Sequence, residues 1–246
     1  MKKTMLIALA IALTVAMALP ARADIYIEQL NQHTGSSSRS ESGSGITKMW
    51  ISEQAIRVEE PGGKTIHITD LEGRRLITLD MTKREYFIIP LEQIRNDLER
   101  ASARLKERMQ ITWEVEHPGT TMEVSGYLCK PIVFRGSGGM DRGMGVSPLA
   151  ITIEFWVSGD APVSFGAFLK MMDVIGAGQN PFMDATILQE IRNLGGFPIR
   201  TVTSIDMESI NDRIEQTIQQ IREQDFDPNL YAIPAGFREA DKPPQY

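Results

Sequence analysis

Four short runs of alternating apolar and polar residues, broken by turn-forming residues, fill the stretch WISEQAIRVEEPGGKTIHITDLEGRRLITLDMTKREYFIIP, from Trp50 to Pro90. Ile56 shares a face with Val58, Ile66 with Ile68, Leu76 with Thr78, and Phe87 with Ile89. The breaks fall at Ser52-Glu53, Pro61-Gly62-Gly63, Glu72-Gly73 and Thr82-Lys83. Period-2 spacing between such breaks predicts a β-meander with one packed face and one wetter face. Tyr86 and Ile88 oppose Phe87 and Ile89, so the last strand is expected to be covered on both sides.

Upstream, residues 24–32 alternate through Ile25 and Ile27 and predict a first strand. Residues 34–45, TGSSSRSESGSG, hold too little apolar surface to pack and predict a loop. Downstream, Pro90 opens a predicted helix in which Leu91, Ile94, Leu98, Ala101, Leu105 and Met109 form one apolar stripe. Sheet resumes over residues 111–116, 122–125, 127–134 and 149–157, with residues 136–145, GSGGMDRGMG, as a glycine-rich loop between the last two. Residues 162–175 are apolar on most sides, which predicts a buried helix, and residues 182–194 a second one. A strand is expected over residues 199–207. Ile214, Ile218 and Ile221 stand at helical spacing and favour a helix over residues 211–223, with a short strand within 217–222 left open. No internal repeat or linker divides the chain, so residues 24–237 are expected to form one domain and residues 238–246 a flexible tail.

The first residues set an address. Lys2 and Lys3 precede an uncharged apolar run over residues 5–19, and Ala21-Arg22-Ala23 forms an A-x-A site. This predicts a signal peptide over residues 1–23, cleaved between Ala23 and Asp24, and a periplasmic mature protein. No transmembrane segment is expected after cleavage, because the run falls short of the ~20 residues that a span needs. Losing Lys2, Lys3 and Arg22 moves the formal net charge from −6 to −9. Such a balance argues against nucleic acid and against adhesion to anionic lipid heads. Cys129 is the single cysteine and cannot form an internal disulfide; within GYLCKPIVF it is read as a small buried hydrophobe.

Candidate chemistry is sparse. His33, His67 and His117 fall in three different elements. The chain has no H-E-x-x-H, no paired cysteines, no calcium-loop spacing and no G-x-S-x-G elbow. The glycine-rich stretch lacks the lysine-serine/threonine ending of a phosphate cradle. The expected protein is therefore non-enzymatic, with no cofactor and no metal. Thirteen methionines stand out in the composition. Their irregular spacing, away from histidine, reads as packing rather than copper(I) ligation.

Several short motifs recur in a familiar order. They are the Trp50 to Arg57 strand pair, the Tyr86 to Pro90 strand end, Gly126-Tyr127 before Cys129, Trp156-Val157-Ser158, Gly195-Gly196-Phe197-Pro198-Ile199 and the closing Ile233-Pro234-Ala235-Gly236-Phe237. From Ile46 to Phe237 the chain resembles an uncharacterised bacterial exported family, a domain of unknown function related to the LolA-type lipoprotein carriers. The helix after Pro90 and the stretch from Glu208 to Asp212 depart from the carriers. The resemblance implies an α+β fold: a strongly curved antiparallel sheet, a half-open β-barrel, with helices on its concave side. It also implies a concavity that accepts acyl chains. The apolar, methionine-bearing run over residues 162–175 reads either as plain core or as the inner wall of that concavity, and the second reading makes Trp156, Phe165, Phe168, Met171 and Met172 the expected ligand-binding residues. The expected function is an exported binding protein holding an acyl chain, lipid or lipidated protein partner. The alternative is an envelope protein-protein interaction or sensor module with a closed core.

Overall fold

A computed structural model describes residues 24–35, 44–141, 143, 145–163, 187, 189, 190, 193, 195–208 and 210–241. In chain order the strands are β1 (Ile25–Gly35), β2 (Gly45–Ile51), β3 (Ala55–Glu59), β4 (Thr65–Asp70), β5 (Arg75–Asp80) and β6 (Glu85–Pro90). Helix α1 (Leu91–Arg108) follows, then β7 (Met109–Glu116), β8 (Met122–Val124), β9 (Tyr127–Asp141) and β10 (Val146–Ser158). The chain closes with β11 (Phe197–Met207), β12 (Ile210–Glu223), a 3-10 turn (Pro228–Tyr231) and β13 (Arg238–Glu239).

These strands make one open sheet in the order β13-β6-β5-β4-β3-β2-β1-β12-β11-β10-β9-β7, with β8 on the flank of β9. Every neighbour pair is antiparallel except β13 with β6. This overturns the expected α+β half-barrel with helices on its concave side. Strand dominates, and α1 is the one helix described from end to end. Ile187, Gln189, Glu190 and Asn193 are also helical. The helix expected over residues 162–175 falls almost wholly outside the described residues; Val163, at its start, is buried.

Two misread stretches account for much of the extra strand. Residues 211–223 are β12, not a helix, because β12 carries a bulge against β1. Gln29 pairs with Ile218 and Glu28 with Gln220, which leaves Gln219 unpaired. The extra residue restores Ile221 to the face of Ile214 and Ile218, so a strand acquires the four-then-three spacing of a helix. The glycine-rich stretch from Gly136 is not a loop either: β9 runs on to Asp141. A Cβ on Gly136 would meet the Trp113 ring at 2.9 Å, and one on Gly138 would meet the Gln110 carbonyl oxygen at 1.7 Å. Bare backbone is what lets β7 approach.

The main core lies on one face of the sheet. It takes Ile27 from β1, Met49 and Ile51 from β2, Ile56 from β3, and the inward residues of β9 to β12, with Phe134 edge-on to Phe155 at 5.9 Å. Cys129 is fully buried there. At β4 the buried apolar face changes sides. Ile66 pairs with Glu59 and Ile68 with Arg57, so both lie opposite Ile56 and Val58. With Ile77 and Leu79 they form a second cluster on the outer face. Tyr86 and Ile88 pack against this cluster while Phe87 and Ile89 point the other way.

β6 and β7 stand ten strand spacings apart, about 48 Å in a flat sheet. Yet α1 joins them in 18 residues, about 27 Å of helix. The sheet therefore bends across its width, and α1 spans the opening between its two ends. The inward stripe of α1 includes Ser102, which is buried, in place of the expected Ala101, which is exposed.

Candidate functional site

One cross-strand row organises the outer face. The pairings Arg222–Tyr26, Tyr26–Trp50, Trp50–Arg57, Arg57–Ile68, Ile68–Ile77 and Ile77–Ile88 set seven side chains side by side across seven strands. Cross-strand neighbours on one face touch, and here two rings lie between two cations before the row turns aliphatic. The Arg222 guanidinium lies 4.7 Å from the Tyr26 ring centre, Tyr26 lies 5.2 Å from Trp50, and Arg57 lies 5.5 Å from Trp50. The two arginine distances are cation–π contacts, and the pair between them is a tilted ring–ring contact.

The C-terminal segment crosses this row as a strap. Gln224 N–H donates to the Asp24 carbonyl at 3.0 Å, and Phe226 sits edge-on to Tyr26 at 6.5 Å. The Arg57 Nη1 donates to the Leu230 carbonyl at 3.1 Å. Tyr231, Ile233 and Phe237 pack on the Ile66, Ile68, Ile77 and Leu79 cluster. Beyond Phe237, Arg238 and Glu239 pair with Glu85 and Tyr86, and the Arg238 Nη2 holds Glu85 at 2.6 Å.

A groove of about 630 Å³ opens between the strap and the sheet, at the end where β1 begins and the β2–β3 and β4–β5 turns lie. Its apolar lining is Ala55, Ile68 and Ile77 on the sheet, all buried, and the more exposed Phe226, Pro228 and Ile233 on the strap. Its rim carries the carboxylates of Asp24, Glu53, Asp70 and Glu72 against the single cation of Arg75. The turns are fixed from within. Ser52 Oγ accepts from Ala55 N–H at 2.9 Å, Leu71 N–H donates to the Gln54 carbonyl at 2.9 Å, and the Asp70 carboxylate takes Gly73 N–H at 2.7 Å and Arg75 Nε at 2.9 Å. The rim is therefore built before anything enters.

Electrostatics follow burial. Burial, then the repulsion of Asp225 and Glu53, raises the Asp24 carboxyl, although an N–H from Phe226 opposes this. Burial pushes the Tyr231 phenol up to about 12, and its hydroxyl lies near Ser52 without a partner at hydrogen-bonding geometry. Burial, and then Glu28, carries the Tyr26 phenol to about 12 as well. Burial also lowers Arg57, whose Nη2 stands 3.7 Å from Glu59 and whose Nε has no partner.

The residues expected to bind a ligand are not these. Trp156 lies on β10, opposite Arg200 and away from the groove, with its indole N–H donating to Glu154. Phe165, Phe168, Met171 and Met172 lie outside the described residues. The three histidines each face a carboxylate, at 4.0 Å for His33 and Asp212, 3.0 Å for His67 and Glu60, and 3.5 Å for His117 and Glu190. None lines the groove. Among the described residues no group of three or more His, Cys, Asp or Glu side chains is arranged to hold a metal ion. No described helix is long and apolar enough to cross a membrane. The one sequence signal for the groove is the closing Ile233-Pro234-Ala235-Gly236-Phe237, whose Ile233 and Phe237 anchor the strap.

A family model described as Domain of unknown function (DUF4412) matches residues 36–237. No curated protein matches the chain. Among solved structures the chain is similar to the crystal structure of an uncharacterized conserved protein from Thermus thermophilus. The two are 9% identical, with a TM-score of 0.43 over 89% of this chain and 91% of that one.

Proposed function

The chain belongs to the family described as Domain of unknown function (DUF4412), and on the geometry of the groove we propose that it is an exported, non-enzymatic binding protein of the periplasm. Its ligand is a molecule with an apolar body. The observation that carries this reading is the groove itself: about 630 Å³, floored by Ile68 and Ile77 and roofed by Phe226 and Ile233. That volume is in the range of small-molecule sites, about 300–1,000 Å³. Desolvating a chain of methylenes there contributes about 0.8 kcal/mol for each one buried. Four carboxylates against one guanidinium disfavour an anionic head, so the polar end of the ligand is neutral or cationic. A lipid or a lipidated partner of this charge fits, and kinship with the LolA-type lipoprotein carriers is part of the same proposal.

Native mass spectrometry of protein taken from its own envelope, followed by lipid extraction, tests this. A bound apolar molecule is expected, with retention reduced about tenfold or more by Ile77→Asp, which places a charge in the apolar floor. Phe168→Ala and Met172→Ala probe the wall expected from the sequence. Ligand-free protein, with all three variants losing stability alone, would sink the binding reading.

A second reading, an envelope protein-protein interaction module, draws on α1. Only Ser102 is buried in that helix, and Arg95, Glu99, Arg100 and Arg104 are exposed. Charge reversals along that polar face that abolish capture of an envelope partner, with the groove untouched, would favour it.

A further inference from the structure

The two ends of the sheet are finished differently. At one end β6 runs six residues to Pro90 and is covered by β13. Arg238 N–H donates to the Arg84 carbonyl there at 3.1 Å, and Ala240 N–H to the Tyr86 carbonyl at 2.8 Å. At the other end stands β7, and among the described residues no strand pairs on its outer side. Edge strands are ordinarily shortened, bulged or interrupted by proline or lysine. β7 has eight residues, MQITWEVE, with neither proline nor lysine, and it keeps one register against β9 throughout. Ile111, Trp113 and Val115 pack on the main core from one face, and Gln110, Thr112, Glu114 and Glu116 are exposed on the other.

We propose that β7 pairs with β7 of a second copy of this chain, antiparallel about a two-fold axis through Thr112, so that one sheet runs through both molecules. The backbone groups of an edge strand recognise another extended strand, and a strand meets its own copy antiparallel across a two-fold. The side chains select the register. Apolar faces stay continuous only where odd residues oppose odd and even oppose even, because a one-residue slip turns every side chain over. An axis on Glu114, Val115 or Glu116 sets glutamate directly against glutamate. An axis on Trp113 leaves the two Glu114 side chains diagonal neighbours, still within reach of each other. An axis before Thr112 runs the ladder into α1. The axis on Thr112 avoids all three faults. It sets Glu114 against Gln110, and Glu116 against Arg108, the residue just before the strand. On the apolar face it opposes Ile111 to Trp113 and Met109 to Val115. Arg108 gives its Nε to the Asp141 carbonyl at 2.9 Å and Glu116 holds Arg135 at 3.2 Å, so both charges are positioned before the copies meet. The groove lies over β1 to β5 and the strap, away from β7 in the strand order, so this contact is independent of what the groove holds.

Sedimentation velocity of the purified chain tests the association. One added strand per copy is a small interface, so a reversible dimer in the micromolar range is expected. A monomer at every concentration up to about 1 mM would overturn the proposal. Cysteine cross-linking in a Cys129→Ser background reads the register. Thr112→Cys faces itself across the axis at cross-strand distance, and oxidation is expected to link it into a dimer that reductant separates. Glu114→Cys is also exposed but faces Gln110, and is expected not to link. A dimer that Thr112→Cys fails to link, or that Glu114→Cys links as readily, would overturn the β7 contact. Arg108→Glu is expected to weaken the dimer about tenfold, and Glu116→Arg added to it is expected to restore association. Reversals without effect, or without restoration, would overturn the register.

Discussion

Removing the Tyr231 hydroxyl is expected to cost the fold nothing. That oxygen is buried without a hydrogen-bond partner, so Tyr231→Phe gives up no bond and sheds a desolvation penalty. The thermal midpoint is expected to hold or rise, by the equivalent of up to about 1 kcal/mol. Its neighbour behaves oppositely. Arg57→Met loses the bond to the Leu230 carbonyl, the approach to Glu59 and the face of Trp50, a loss of about 1–3 kcal/mol by urea unfolding. If both substitutions destabilise alike, the strap is held by something other than these contacts. Two carboxyls set the acid response. The Arg200 guanidinium, bonded to Glu215 at 2.7 Å, holds that carboxyl below its usual range, and the N–H groups of Lys83 and Thr82 do the same for Asp80. Folded values below unfolded ones give stability that is present above the ordinary carboxylate range, about pH 4, and lost as pH falls through the lower folded values. Arg200→Met is therefore expected to unfold at lower urea than the parent at pH 6 and to converge with it at pH 3. A deficit of the same size at both values would contradict this assignment.

Among the elements, the short meander strands were legible because each runs five to seven residues between firm turn signals and obeys period two. What stayed hidden in them was which face each buries. Ile66 and Ile68 alternate as cleanly as Ile56 and Val58 but face the other way, and only the pairing across β3 and β4 decides that. Strand β12 was misread because the bulge at Gln219 imitates a helical period, and a bulge is set by its partner strand, β1, at the far end of the chain. Strand β9 was cut short because the glycines crowded into Gly136–Gly145 look like a loop until Trp113 and the Gln110 carbonyl are laid over two of them. This last pairing makes a prediction. Gly138→Ala drives a methyl into the Gln110 carbonyl and is expected to cost about 1–3 kcal/mol. Hydrogen exchange is expected to quicken first in Met109–Glu116. Unchanged protection across that strand would mean that β7 does not lie as close to β9 as described.

For the molecule as a whole, the groove was not legible in the sequence because nothing in its composition is local. It gathers the start of β1, two turns of the meander and the strap, which are far apart in the chain and joined only by strand order. Apolar density pointed instead to Phe165, Phe168, Met171 and Met172, since a concentrated hydrophobic run is visible in a way that a shared sheet end is not. The strand order carries one more consequence. β1 is paired on one side by β2, the next strand in the chain, and on the other by β12, so that Asn31 meets Gln216 across 185 positions. Loop-closure entropy makes such a seam slow to form, while β2 to β6 can zip locally. A chain emerging from synthesis therefore carries β1 with a bare edge until almost its last strand has appeared. For that interval its own first strand is its chief aggregation hazard.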